Sequence, residues 1–250
     1  MEIKATYFIA SPADINDDSL ILRNSEAHHL SNVLRGDIGD RFYAVDGAGN
    51  RYLSEISKIE KKSVTSNILK TDKGIDESSL HISLALPLLK GARMDYALEK
   101  ATECGVADFI PYNSTLAVSD VSDKSKADKK KQRWNNIIRA AVKQSLRCRI
   151  PDVRDLIEFD DLITHGGDYE LRLIADLSED SISTEELKID SDAEKALMIV
   201  GPEAGFTEGE LETAENAGFV KVKFGERRLR AETACAVFPF LLQFAARRLN

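Results

Sequence analysis

The apolar pattern of this chain changes its period once, across the polar stretch Thr71-Asp72-Lys73-Gly74-Ile75-Asp76-Glu77-Ser78-Ser79. Ahead of that stretch, residues 6–9, 41–45, 51–59 and 63–69 are short, β-branched or alternating segments, the pattern of strands buried on one face. Asp46-Gly47-Ala48-Gly49-Asn50 joins two of them with residues that tolerate positive φ, a hairpin connection. One helix interrupts the strands. Ser25 is its expected cap, Ala27, Leu30, Val33 and Leu34 its apolar stripe, and Gly36 its stop. Several short strands with one small helix predict a compact β-barrel over residues 1–72, with the polar stretch as linker.

Behind the linker, strands and helices alternate. Residues 81–86 and 109–112 read as strands, and residues 92–104 as a helix ended by Gly105. A long helix over 127–146 puts Trp134, Ile138, Ala141, Val142 and Ser145 on one side. Residues 171–175 and 197–200 are continuous apolar runs of the kind buried in parallel sheets. Thr207-Glu208-Gly209-Glu210 is a capping box opening a helix that Gly218 ends; residues 219–224 form a strand, and 231–249 a last helix bent at Pro239. The alternation predicts an α/β domain over residues 73–250 with a mostly parallel sheet.

Composition excludes several classes. Among 250 residues no apolar run approaches the ~20 that a membrane helix needs, and residues 1–9 lack the basic, then apolar pattern of a signal peptide. Cys104, Cys148 and Cys235 are odd in number and widely spaced, which fits neither a disulfide framework nor a metal site. A cytoplasmic protein with no metal and no membrane partner is expected. The net charge of −8 speaks against nucleic acid only if it is evenly spread. It is not: residues 124–154 hold eleven cations against two acids, residues 155–220 three against nineteen, and residues 221–230 five against one. Local cation density is what attracts a phosphate backbone, although Lys124–Lys131 also reads as a solvated helix start.

Ligands of open parallel sheets bind at the carboxyl ends of strands, so two loops draw notice. Gly201-Pro202-Glu203-Ala204-Gly205-Phe206 follows a buried strand and precedes the capped helix; its small residues allow close approach, although such a loop is also an ordinary turn. It has neither the Walker nor the dinucleotide spacing. Phe224-Gly225-Glu226-Arg227-Arg228-Leu229-Arg230-Ala231-Glu232-Thr233-Ala234 sets three arginines at a strand–helix junction, suited to a phosphate or a developing anion, or simply solvated beside a cap. His28-His29 read as a surface and a half-buried histidine, and Cys148 as a bystander thiol.

Five ordered blocks resemble the bacterial 16S ribosomal RNA uridine N3-methyltransferases. They are His28-His29-Leu30 with Val33-Leu34-Arg35 and Gly39-Asp40; Lys90-Gly91-Ala92-Arg93-Met94-Asp95 with Glu99-Lys100-Ala101-Thr102-Glu103-Cys104-Gly105; Gln144-Ser145-Leu146-Arg147; Gly201 to Phe206; and Leu229-Arg230-Ala231-Glu232-Thr233-Ala234. Ala204, Glu99, Cys104 and Ala231 depart from the family's Gly, Gln, Leu and Thr. The resemblance implies a PUA-like RNA-binding barrel followed by a SPOUT methyltransferase domain. That domain carries a carboxyl-terminal trefoil knot, which fold rules alone would not predict. It further implies S-adenosylmethionine as cofactor, a homodimer, and 16S ribosomal RNA of the small ribosomal subunit as partner.

On that basis Arg230 is the expected cation for charge developing on uracil, with Glu232 or Glu203 to orient it or take the proton. Val200, Gly201, Pro202, Glu203, Gly205, Phe224, Gly225, Leu229, Arg230 and Thr233 would surround the cofactor. Arg35, Arg93, Arg139, Arg147 and Arg149 would meet RNA phosphates. Methylation of another base or a ribose hydroxyl, and a non-catalytic role in ribosome assembly, remain as alternative readings.

Overall fold

The computed structural model describes residues 3–75, 77–116, 124–183, 186–190 and 192–248, and its contacts divide the chain into two compact units. The first comprises Met1–Glu77 with Arg139–Ile150, the second Ser78–Ile138 with Pro151–Asn250.

In the first unit, β1 (Ile3–Ile9), β2 (Ser19–Arg23), β3 (Arg41–Val45), β4 (Asn50–Ile59) and β5 (Ser63–Lys73) form one sheet in the order β1-β3-β4-β5-β2. Only the β1–β3 pair is parallel. Alternate residues Phe8, Leu20, Leu22, Phe42, Ile56 and Val64 turn inward, where Leu30 packs on them and the Phe8 and Phe42 rings meet edge-on at 5.4 Å. Each such side chain removed from water contributes about 1.5–3 kcal/mol. The sequence does not predict β2, because Leu20-Ile21-Leu22 is too short a run to show a period. β5 also extends further than read. Lys73 pairs with Asn50 and Asp72 with Arg51, whose guanidinium meets the Asp72 carboxylate at 3.1 Å, so residues 71–73 are strand and not linker. Asp76 of the expected linker lies outside the described residues.

The small helix α1 (Asn24–His28) corrects two expectations. Arg23, not Ser25, occupies the cap position, and no side chain caps the helix; Asn24 has φ 49° and sets the entry. The chain then widens to a π-helical turn over His29–Val33, with Leu34 N–H bonded to the His29 carbonyl. That wider turn leaves Ala27 and Leu30 inside but carries Val33 out to 58% exposure.

Arg139–Ile150 joins this unit through the β3–β4 turn. Gly49 N–H donates to the Cys148 carbonyl and Ile150 N–H to that of Gly47. The Glu77 carboxylate accepts from the Arg147 guanidinium at 2.7 Å and from the N–H groups of Cys148 and Arg149. The Arg147 side chain is only 6% exposed. Its expected place on an RNA-facing surface is therefore corrected: the charge is committed to an internal carboxylate.

The second unit contains β6 (His81–Pro87), α2 (Ala92–Glu103), β7 (Asp108–Asn113), the start of α3 (Lys124–Ser145), β8 (Asp152–Val153), β9 (Ile157–Glu158), α4 (Phe159–His165), β10 (Leu171–Ala175), β11 (Ile182–Ser183), β12 (Lys195–Ile199), α5 (Glu208–Asn216), β13 (Val220–Lys223) and α6 (Ala231–Ala245). Its eight-stranded sheet has the order β11-β13-β10-β12-β6-β7-β8, with β9 also on β7, and every pair is parallel. This is the α/β sheet that the apolar runs predicted. The two-residue strands and α4 were not foreseen, being too short to show a period. Gly105 (φ +86°) and Gly218 (φ +82°) follow α2 and α5 as read, while Leu146 (φ 61°) closes α3. The last helix stops at Ala245, earlier than the 231–249 reading, before Arg247 at φ 55°; Leu249 lies outside the described residues. Pro239 sits within it.

Arg147→Ala leaves the Glu77 carboxylate without its guanidinium partner in a nearly closed site. It should lower the unfolding free energy by about 3–5 kcal/mol in urea titration.

Candidate active site

Three neighbouring strands of the parallel sheet, β10, β12 and β13, end on the same edge and release three loops there. β12 is buried from Ala196 to Ile199 between β10 and β6. Its exit is held on both sides: Val200 N–H donates to the Ala85 carbonyl, and the fully buried Tyr112 hydroxyl donates to the Val200 carbonyl at 2.9 Å. Burial pushes the Tyr112 phenol well above its ordinary value, so it remains a donor.

The following loop requires glycine at Gly201, where a Cβ would stand 2.9 Å from the Phe206 ring, and at Gly205, where φ is +83°. The loop closes on the capping box. Thr207 Oγ1 accepts from Glu210 N–H at 3.1 Å, while the Glu210 carboxylate accepts from Thr207 N–H at 2.8 Å. The same carboxylate takes Ser114 Oγ and Thr115 N–H, tying the loop to the end of β7. Burial alone would push the Glu210 carboxyl above its ordinary range, but these donors outweigh it and hold it below that range.

β13 releases the second loop. The Phe224 ring lies 4.3 Å from that of Phe238 on α6, Gly225 turns with φ +83°, and Arg230 takes the cap position of α6. The two loops are joined where Arg228 donates to the Glu203 carbonyl at 2.8 Å. The third loop leaves β10 through Ala175, Asp176 and Leu177, with Asp176 N–H bonded to the Val222 carbonyl.

Together they enclose a cavity of about 460 Å³. Of the expected cofactor-contact residues, Val200, Gly201, Pro202, Glu203, Gly205, Phe224, Leu229 and Arg230 line it, whereas Gly225 and Thr233 do not. Ala175, Asp176, Leu177, Lys223, Ala234 and Phe238 line it too and were not foreseen. Asp176 and Leu177 could have been found by the rule already used, since they directly follow the buried run at 171–175.

Beside the cavity lies an acidic and basic cluster. Glu232, in the first turn of α6, is 8% exposed, and its Oε2 has no hydrogen-bond partner among the described residues. Arg93, near the start of α2, meets Glu203 at 2.6 Å and approaches Glu232 Oε1 at 4.0 Å. Arg227, Arg228 and Arg230 are exposed. In the first unit Arg35, Arg139 and Arg149 are exposed as well, Arg35 with φ 53°. His28 is exposed and His29 half-buried against Phe8. Among the described residues no group of histidine, cysteine and carboxylate side chains has metal-binding geometry, and no helix is long and apolar enough to cross a membrane.

A parallel α/β sheet with a glycine-lined cavity at its carboxyl edge and arginines at the mouth defines a protein that binds a small molecule beside an anionic partner. Comparison with known proteins specifies the class: residues 76–243 match the RNA methyltransferase domain family, and residues 22–69 match the RNA methyltransferase PUA domain. The chain belongs to this RNA methyltransferase family. Its first unit is accordingly PUA-like, and its second takes the SPOUT-type α/β fold. It is 30% identical over 220 residues to the ribosomal RNA small subunit methyltransferase E of Bacillus subtilis, covering 85% of each chain. It is 33% identical over 174 residues to the enzyme of that name from Mesomycoplasma hyopneumoniae, covering 68% of this chain and 72% of the relative. The crystal structure of the Neisseria gonorrhoeae ribosomal RNA small subunit methyltransferase E bound to S-adenosyl methionine superposes with a TM-score of 0.83 at 28% identity. That match covers 96% of this chain and 97% of the other.

Glu210→Ala removes an internal acceptor shared by the Thr207 cap, Ser114 and Thr115, and should cost about 1–3 kcal/mol of stability at neutral pH. Because the folded-state value is the lower one, this contribution is present above the ordinary glutamate value of about 4.5. It is lost as pH falls through the depressed folded-state value. Thermal denaturation of the wild type and the variant should therefore converge in acid.

Proposed function

We propose that the protein transfers a methyl group from S-adenosylmethionine to N3 of a uridine in 16S ribosomal RNA of the small ribosomal subunit. The observation that carries this reading is the cavity formed by the Gly201–Phe206 and Phe224–Arg230 loops, seen alongside the cofactor-bound Neisseria relative. The residues fit such a cofactor. Gly201 has no room for a Cβ beside Phe206, Gly205 turns at φ +83° within the cavity lining, and loops that leave strand ends offer backbone groups to an adenosine. When bound, S-adenosylmethionine supplies a methyl group on a sulfonium. In this reading the second unit carries the family's trefoil knot, and the working unit is a homodimer in the cytoplasm.

Uracil N3 is a weak nucleophile until its proton leaves, and the resulting charge spreads onto O2 and O4. Arg230, which lines the cavity, is the cation that faces those oxygens in this reading. Glu232 or Glu203 takes the proton. Fixed orientation can contribute about 7–11 kcal/mol to such a step, and a cation on developing oxyanion charge a few kcal/mol more. The base reaches the cavity only by leaving the RNA stack. RNA is held by the first unit, drawn in the sequence at residues 1–72 and completed by Arg139–Ile150, and by the methyltransferase domain within residues 73–250. Arg35, Arg139 and Arg149 are the phosphate-facing candidates that remain exposed.

Incubation with labelled cofactor, comparing free 16S RNA with assembled small subunits and mapping the product, tests the reading. N3-methyluridine is expected; a ribose or other base product, or none, overturns it. Arg230→Ala should lower turnover at least tenfold while calorimetric affinity for S-adenosylmethionine changes far less. Unchanged turnover would remove Arg230 from the reaction.

A further inference from the structure

Two carboxylates line the cavity, and they are held differently. Glu203 is paired with Arg93 at 2.6 Å, whereas Asp176 meets no cation among the described residues. Asp176 stands at the exit of β10, so the Gly201 and Phe224 loops leave the strands on either side of it. Its place is fixed on two sides. Its N–H donates to the Val222 carbonyl at 3.1 Å, and its Oδ2 accepts from Ser178 N–H at 2.9 Å. The chain beyond is pinned as well, by Ser181 N–H on the Ser178 carbonyl and by the Asp180–Lys221 ion pair. Oδ1 accepts from no donor among the described residues, and the half-buried side chain remains open to the cavity. Lys223, the lining cation one residue beyond the β10–β13 ladder, is taken by Glu226 at 3.3 Å.

Resting on the cofactor proposed above, we infer that Asp176 recognises the ribose of S-adenosylmethionine, its carboxylate accepting from the vicinal 2′- and 3′-hydroxyls. The parts of the cofactor divide the cavity by their chemistry. Adenine is uncharged and takes apolar surface, which Val200, Leu229 and Phe238 provide. The methionine end carries an ammonium and a carboxylate and needs both signs together. Arg228, bonded to the Glu203 carbonyl, and the Glu203 side chain offer them as neighbours. The diol is neutral and presents two adjacent donors. Its complement is a carboxylate that has spare acceptor capacity and no counter-ion, and Asp176 alone in the lining meets that description. A carboxylate beyond a neighbouring strand end is also how dinucleotide-binding parallel sheets hold a ribose. The Ser178 N–H bond keeps the carboxylate oriented before the cofactor arrives, so little side-chain freedom is lost on binding.

The test is calorimetric, uses the full chain and needs no RNA. The probes are S-adenosylhomocysteine and its 2′-deoxy and 3′-deoxy forms, which keep the adenine and the methionine end intact. Asp176→Ala should weaken S-adenosylhomocysteine binding by about ten- to hundredfold, the range for hydrogen bonds to a charged acceptor. Asp176→Asn, which keeps the shape and one acceptor, should recover part of that loss. Removing either hydroxyl from the probe should weaken wild-type binding by about tenfold. In Asp176→Ala the same removal should change Kd by no more than about twofold, because the partner is already gone. An unchanged Kd for S-adenosylhomocysteine in Asp176→Ala overturns the inference. So do deoxy losses as large in the variant as in the wild type, which would assign the carboxylate to the ammonium of the methionine end. Should Asp176→Ala fail to fold, Asp176→Asn is titrated with the same series, and equal deoxy losses in variant and wild type overturn the inference. A wild type that does not bind S-adenosylhomocysteine overturns the cofactor reading itself, a result distinct from tight binding that ignores Asp176.

Discussion

The double-sided backbone pairing of β12 is the constraint on which the site depends. β6 pairs with all of that strand and β10 with Ala196–Ile199, whose side chains are buried, and its exit is clamped by the Val200–Ala85 and Tyr112–Val200 hydrogen bonds. A strand held in this way cannot slide, because any register shift would break two parallel ladders at once. The Gly201 loop therefore starts from a fixed point. β13 pairs with β10 in the same direction, so its loop opens on the same edge, and Arg228 has only to reach the Glu203 carbonyl to join the two. The cavity follows from strand direction and the absence of side chains at a few loop positions. It needs no dedicated wall of its own.

Long, buried elements were readable because burial on both faces leaves continuous apolar runs, as at residues 171–175 and 197–200, and because the Thr207–Glu210 cap is a local device. β2, β8, β9, β11 and α4 were not, since two to seven residues carry too little period and are held by neighbours distant in sequence. The candidate site divided in the same manner. The glycine loops were legible because glycine at a strand exit has a steric meaning. The roles of the arginines were not. Arg147 answers to Glu77, seventy residues earlier, and Arg93 to Glu203, 110 residues later, and neither partnership leaves a mark near the arginine itself. An arginine in a motif could equally be a phosphate contact or half of an ion pair until its partner was known.

The acidic block between the basic segments also has a physical use. Many of its carboxylates are engaged locally. Glu210 closes a cap, Glu170 accepts from Lys195 N–H, Glu186 from Ser183, and Asp180 and Glu215 share Lys221. Arg227, Arg228 and Arg230 line the cavity as exposed cations, with the half-exposed Glu203 among them. The net charge of the chain thus understates the field that a polyanion would meet there.

The return of Arg139–Ile150 to the first unit bears on how the protein is made and inherited. The first 77 residues emerge from the ribosome before the Arg147 guanidinium and the N–H groups of Cys148, Arg149 and Ile150 that bond the Glu77 carboxylate and the Gly47 carbonyl. By the time Ile150 has followed, β6, α2 and β7 of the second unit have also been synthesised while Pro151–Asn250 has not, so the first unit is completed only after the second has begun. The same interleaving keeps the first unit from being a portable cassette. A gene fusion that carried only the amino-terminal segment to another enzyme would leave behind part of its closure, and recombination is expected to pass the two units on as one piece.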